Sequence, residues 1–417
     1  MTLDPVHFDG IAQLAGRIDS HVDETDDVSF ADTVFREYLD PLWNDDERVL
    51  EPMDSLRKRR IDVESAALQD PPFPTHHGLD SGTINPTTFT NGLVLDVAQA
   101  AMAAVPSDLD LHRARSVVAT VHSNDATVDC NENDWTMFDD GYSRGRIIQA
   151  PQVSRYEEAV VHALSLYLAE VTHARMQADV VSDLLVLDGP IYPKGLLAWA
   201  DRHPELADLL VEDKRPREVV EGYLRLVETF AEREVPMVGF VKNTASKVIT
   251  RTLRSKTRVP WVDDAAFFRQ VLLRQEADER VTDELAFTNW FRSRGGVDRP
   301  LSTIGDALGI DRDRDLVDYE VTFCCIYDPR DDLVYRIEAP AIFTDSAEMR
   351  HDLTMQLVRA VAAERGPPLG VGKADELARI SREEKSALSR KIETTFDADR
   401  DRTYDDRRWG VVAGAGD

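Results

Sequence analysis

A chain of 417 residues, 42% hydrophobic and 30% charged, has material for one large core or two ordinary ones and is too apolar to be disordered. No apolar run approaches the roughly 18–20 residues that a bilayer demands, and the N-terminal MTLDPVHFDG lacks the basic-then-apolar order of a signal peptide, so a cytoplasmic protein with no membrane partner is expected. The net charge of −28 comes from 50 Asp and 27 Glu set against 40 Arg and 9 Lys. That balance suits molar salt, where a Debye length of about 3 Å screens self-repulsion.

The acidity therefore reports on the solvent and leaves nucleic acid open as a ligand. In such salt a DNA-binding protein would work through local Arg clusters and metal, not through a global positive field. Of the three cysteines, Cys130 is alone and Cys324 and Cys325 are adjacent, which in a strand sends them to opposite faces. No pair has metal-ligand or redox spacing, so all three read as reduced packing residues.

In chain order, residues 1–70 read as helical. Phe8, Ile11, Leu14 and Ile18 are spaced for an apolar stripe, as are Phe30, Val34, Phe35 and Leu39. LRKRR at 56–60 is a short basic stop, either a solvated face or a phosphate contact. After the break at Pro71, Pro72 and Pro74, HHGLDSGTINP and the apolar stretch from Gly92 read as a strand, a turn and a returning strand, with Asp80 near the first strand's end. His76 and His77 beside it read as loop histidines without a catalytic role. Ser116–Val121 is a further strand, and the polar residues 122–150 read as a loop or excursion.

A long helix follows from Tyr156 to about Ala178, with Val160, Leu164, Leu168 and Val171 on one stripe. Glu158, Glu170 and Arg175 are its charged candidates, a solvated face being the alternative for each glutamate, and Glu170 adjoins the apolar stripe. Next, VSDLLVLDGPIYPKG at 181–195 carries an apolar run too short for a surface helix, which reads as a strand buried on both faces. It ends in Asp188, and Gly189-Pro190 turns the chain. A carboxylate at the end of a buried strand is costly to desolvate without a cationic partner such as a metal ion. The competing reading is an Asp that caps the turn.

Helices at about 195–213 and 216–233 precede a short strand, Pro236–Val241, that ends in Lys242. A helix with Thr244 at its N-cap would follow, so that ammonium and free amides together make a phosphate seat. A solvated strand-end lysine is the alternative. Tyr319–Tyr327 and Leu333–Ile342 read as an antiparallel hairpin, and helices at about 346–363, 373–380 and 382–395 close the chain. The tail RTYDDRRWGVVAGAGD reads as a polar, mobile terminus. Its Tyr404 and Trp409, among Arg407 and Arg408, suit it to engage a partner or nucleic acid.

The fold class expected is mixed α/β, and Asp80, Asp188, a helix glutamate and Lys242 form a weak constellation within it. Hard carboxylate oxygens suit Mg²⁺ or Mn²⁺, and two such ions about 3.5–4 Å apart serve phosphodiester hydrolysis. A non-catalytic nucleic-acid-binding or scaffold subunit fits the composition as well. Beyond the residues' own reading, the chain resembles the NurA family of DNA-repair nucleases, in its haloarchaeal form. The resemblance lies in GLDSG at 78–82 with FTNGLVLDVAQA, in LAEVTHARMQADVVSDLLVLDGPIYPKG at 168–195, in VGFVKNTASK at 238–247, in YRIEAPAIF at 335–343 and in PPLGVGKADELARISREE. These segments are collinear over about 75–395.

The resemblance implies an RNase H-like mixed-sheet core over 75–345, between an N-terminal helical region at 1–74 and C-terminal helices and tail at 346–417. It implies a homodimer with Mn²⁺-dependent 5′→3′ exonuclease and single-strand endonuclease activity on DNA, Mg²⁺ being possible, and partnership with the hexameric ATPase HerA in end resection. It gives Asp80, Asp188 and Glu170 metal-ligand roles, with Glu157 and Glu158 competing for the last. Lys242 and Tyr192 fall to the substrate. Many relatives carry Ala-His where this chain has Ala374-Asp375, so Asp375 is either a further carboxylate ligand or marks a lost role. Pro190 stands where relatives often have Ser and brings no side-chain donor.

Overall fold

The computed structural model of the chain describes residues 5–19, 27–125, 127–130, 134–277, 279–306 and 308–402. Eight strands form the middle of its sheet: β1 (His76–Thr83), β2 (Leu93–Val105), β3 (Arg115–Ser123), β4 (Ser143–Gln149), β5 (Leu185–Asp188), β6 (Met237–Val241), β7 (Val321–Asp328) and β8 (Leu333–Pro340). Five helices matter to the site: α1 (Glu157–Met176), α2 (Lys214–Glu232), α3 (Ala347–Glu364), α4 (Leu369–Ala378) and α5 (Arg382–Phe396). The expected mixed α/β class is what the chain adopts.

The central strand order is β7-β8-β6-β5-β1-β2-β3-β4. β5 is parallel to both β1 and β6, whereas β2 is antiparallel to β1 and to β3. The run Leu184–Leu187 explains why β5 is central. Leu185 and Leu187 pack with α1 and α2, while Leu184 and Val186 join a second core with α3 and α4. A four-residue strand apolar on both faces has no stable place at a sheet edge.

The hairpin β7–β8 is as read, with Cys324 and Cys325 in different cores and unpaired. Two stretches differ from the reading. Leu42–Asn44, Glu47–Pro52 and Lys58–Asp62 are strands, not helix. The basic stop pairs antiparallel with Glu284–Thr288, so its polar side chains mark a sheet edge. Residues 143–149, read as loop, form β4 parallel to β3, and arginines along it hid the strand. The C-terminal tail from residue 403, including Tyr404, Arg407, Arg408 and Trp409, lies outside the described residues.

Candidate metal centre

Parallel pairing sets Leu187 beside Leu79 and Val186 beside Gly78, so the next residues, Asp188 and Asp80, are neighbours across two strands. Strand alternation then fixes their direction. Gly78 and Gly82, two residues either side of Asp80, face α4. A Cβ at Gly78 would lie 2.2 Å from the Gly370 carbonyl carbon, and one at Gly82 would lie 2.2 Å from the Ala378 oxygen. The two glycines let α4 rest backbone-to-backbone on β1, and Asp80 shares their face. Asp375, exposed on α4, is near enough for its charge to act on both aspartates.

Asp188 follows the same alternation onto that face, as does Lys242, one residue past β6. The Lys242 Nζ donates to Asp188 Oδ2 at 2.7 Å. Lys242 is 41% exposed and the Asp188 side chain 9%. Glu170 approaches from the opposite layer. Its Oε1 accepts from Ser81 Oγ at 2.5 Å and its Oε2 from Tyr223 OH at 2.8 Å.

The carboxyls disturb one another. Burial lifts Asp80 from 3.8 to about 8, and the charges of Asp188, Glu170 and Asp375 add to that, while the Ser81 amide opposes it. Burial also raises Asp188, against the pull of Lys242. It raises Glu170 too, against its bonds from Ser81 and Tyr223. Several like charges gathered in a poorly hydrated place are what a divalent cation relieves.

Among the described residues no three His, Cys, Asp or Glu side chains are already drawn into a coordination sphere. Lys242, Ser81 and Tyr223 meanwhile hold oxygens of Asp188 and Glu170. Asp188 Oδ1 is buried and has no hydrogen-bond partner among the described residues. An orphan carboxylate oxygen among raised carboxyls fits a hard divalent ion, with Asp80 and Asp188 as first donors, Asp375 on α4 over the same face, and Glu170 acting on them by its charge from the other layer.

Other expectations fare differently. Tyr192 is not available to a substrate. It is 1% exposed, and its OH donates to the Tyr319 carbonyl at 2.9 Å, so the GPIYPKG turn puts it into the core. Thr244 is not an N-cap: the helix begins at Val248, runs six residues and has no side-chain cap. The phosphate seat expected at its N-terminus is therefore absent. His76 and His77 are buried strand residues, and His76 Nε2 accepts from the Gly370 amide at 3.3 Å. Glu157 and Glu158 open α1, thirteen residues or roughly 20 Å from Glu170, so they do not compete for its place.

Sequence reading missed the supports. Ser81 and Tyr223 orient Glu170, and the signal for Ser81 was its position beside Asp80. A buried carboxylate, Asp96, lies further along the α1 face. It accepts from Ser165 Oγ at 2.8 Å and from Thr83 Oγ1, and it meets His162 Nδ1 at 2.9 Å.

A sequence-family profile, the NurA domain, matches residues 74–380. No curated protein matches the chain. Among similar solved structures is the NurA nuclease from Sulfolobus solfataricus, with 10% identity over 95% of this chain and 98% of that one, and a TM-score of 0.49. A NurA structure with manganese aligns at 11% identity over 78% of this chain and 90% of that one, with a TM-score of 0.39. NurA bound to dAMP and manganese aligns at 11% identity over 82% and 91%, with a TM-score of 0.32.

Proposed function

The chain belongs to the NurA family, and from that premise we propose that it is a Mn²⁺-dependent deoxyribonuclease that hydrolyses phosphodiester bonds. The observation that carries this reading is that Asp80, inside β1, and Asp188, at the end of β5, are neighbours on adjacent parallel strands, with the Asp188 Oδ1 buried and unpartnered. The order β3-β2-β1-β5-β6, with β2 alone reversed, supports an RNase H-like core. The finer activity is 5′→3′ exonuclease and single-strand endonuclease, as a homodimer in the cytoplasm, in end resection with a HerA-type ATPase.

Asp80 and Asp188 hold the divalent cation, and Glu170 and Asp375 complete its surroundings. When bound, the ion supplies Lewis-acid polarisation of the phosphate and a more acidic water. The protein's own groups do the rest. Tyr223 and Ser81 hold the Glu170 carboxylate in one orientation. Lys242 carries an exposed ammonium beside Asp188 and turns it toward the non-bridging oxygens of the scissile phosphate.

The test is cleavage of end-labelled duplex and single-stranded DNA with Mn²⁺ in 2–4 M KCl. Wild type is expected to cut, and Asp188→Ala to lose on the order of 10² in rate or more. Equal turnover by the two proteins would sink the nuclease and leave a non-catalytic scaffold.

A further inference from the structure

A second polar site lies two strands from Ser81, under the far end of α1. A cavity of 260 Å³ opens between the starts of β3 and β4 and the end of α1. Arg115 and Arg144 line it. Arg144 donates from Nε to Ser116 Oγ at 3.4 Å and from Nη2 to the Thr172 carbonyl at 3.3 Å, with its guanidinium 4.3 Å from the Trp135 ring centroid. Arg115 Nη1 donates to the His112 and Ala114 carbonyls, both at 2.7 Å. Among the described residues, every bond these two cations make therefore goes to a neutral oxygen. Their neighbours differ: Arg113 pairs with Asp139, and Arg146 with Glu218.

The cavity floor is polar as well. Ser116 Oγ meets His173 Nδ1 at 3.1 Å, and His173 is 1% exposed with its Nε2 unpartnered. A guanidinium only donates, so the Ser116 hydroxyl accepts from Arg144 and also bonds Nδ1 of His173. The other ring nitrogen, Nε2, is buried without a hydrogen-bond partner among the described residues. Burial and the two guanidiniums push His173 down to about 3, which keeps the ring neutral.

Two carboxylates stand at the rim, and Asp139, paired with Arg113, is near enough for its charge to act on Arg115. Asp108 caps the short helix Leu109–Arg113, and Asp110 accepts from Tyr142 OH at 3.3 Å. Apolar surface completes the mouth, where Met137 is 54% and Met176 48% exposed.

We propose that this cavity is a second anion site for a phosphate ester, its phosphoryl oxygens held by Arg115 and Arg144 and its organic body lying against Met137 and Met176. The chemistry is shared by a free nucleotide and by the terminal nucleotide of a DNA strand. It is independent of the carboxylate centre and needs no metal.

The test is isothermal titration of the full chain in EDTA at constant KCl. The probes are a deoxynucleoside 5′-monophosphate, inorganic phosphate, and one oligonucleotide with and without a 5′-phosphate. Wild type should bind one nucleotide per chain, Arg144→Gln should weaken this about tenfold or more, and Arg144→Lys should recover part of it. Preference for the 5′-phosphorylated strand supports a strand end as the source, and binding of the mononucleotide alone supports a free nucleotide. A wild-type measurement covers a variant that fails to fold: the His173 Nε2 resonance must shift with the nucleotide. No saturable binding, unchanged binding by folded Arg144→Gln, or an unmoved His173 signal would overturn the site.

Discussion

Asp80 owes its chemistry to what surrounds it. Asp80 was legible in GLDSG as a carboxylate between apolar and turn-forming residues, although β1 runs on to Thr83 and sets it inside the strand; its protonation was not, because burial and the approach of Asp375 arise only in the fold. In the metal-free protein the native carboxyl holds its proton up to about pH 8, whereas an ordinary aspartate releases it near 3.8. Between those values the native state binds more protons than the unfolded chain, so this group's contribution to stability falls as pH rises. Asp80→Asn removes that slope. Urea midpoints in EDTA should therefore show the variant gaining on wild type from pH 4 to pH 8, and parallel curves would refute the assignment. Lys242→Ala should slow turnover with little loss of Mn²⁺ affinity, measured by titration calorimetry; a large metal-binding defect would contradict its substrate role. Tyr223→Phe takes one donor from a buried carboxylate and is expected to cost about 1–3 kcal/mol in stability, read by denaturant unfolding. Tyr192 marks the limit of motif reading, since no local pattern separates a tyrosine that faces substrate from one that faces the core.

At the scale of elements, the buried run before Asp188 and the long stripe on α1 announced themselves by period and length. Glu47–Pro52 and Lys58–Asp62 did not, because their further partners lie more than 200 residues away and their exposed residues are polar, and Leu42–Asn44 is too short to show a period even though its partner is local. The seat of α4 on β1 was hidden for a related reason: a glycine's purpose shows only when another backbone arrives. Gly78→Ala puts a methyl group 2.2 Å from the Gly370 backbone, so α4 must shift and carry Asp375 with it. The expected cost is at least about 1–3 kcal/mol, with activity falling alongside, checked by thermal unfolding and cleavage. Asp375→Asn leaves the helix seated and should keep wild-type stability, so the two variants separate the position of the helix from the charge it bears.

Over the whole molecule, a net charge of −28 meets a site that asks for cations. Molar salt screens the first while leaving the close, half-buried carboxyls their attraction for a divalent ion. The melting temperature in EDTA should rise between about 0.1 and 2 M KCl, and a flat response would remove the salt adaptation read from the composition. The most direct measurement is crystallographic: anomalous scattering at the manganese edge from crystals soaked in Mn²⁺. The predicted result is a peak within about 2.5 Å of carboxylate oxygens of both Asp80 and Asp188. A peak elsewhere, or none between those two side chains, would contradict the account.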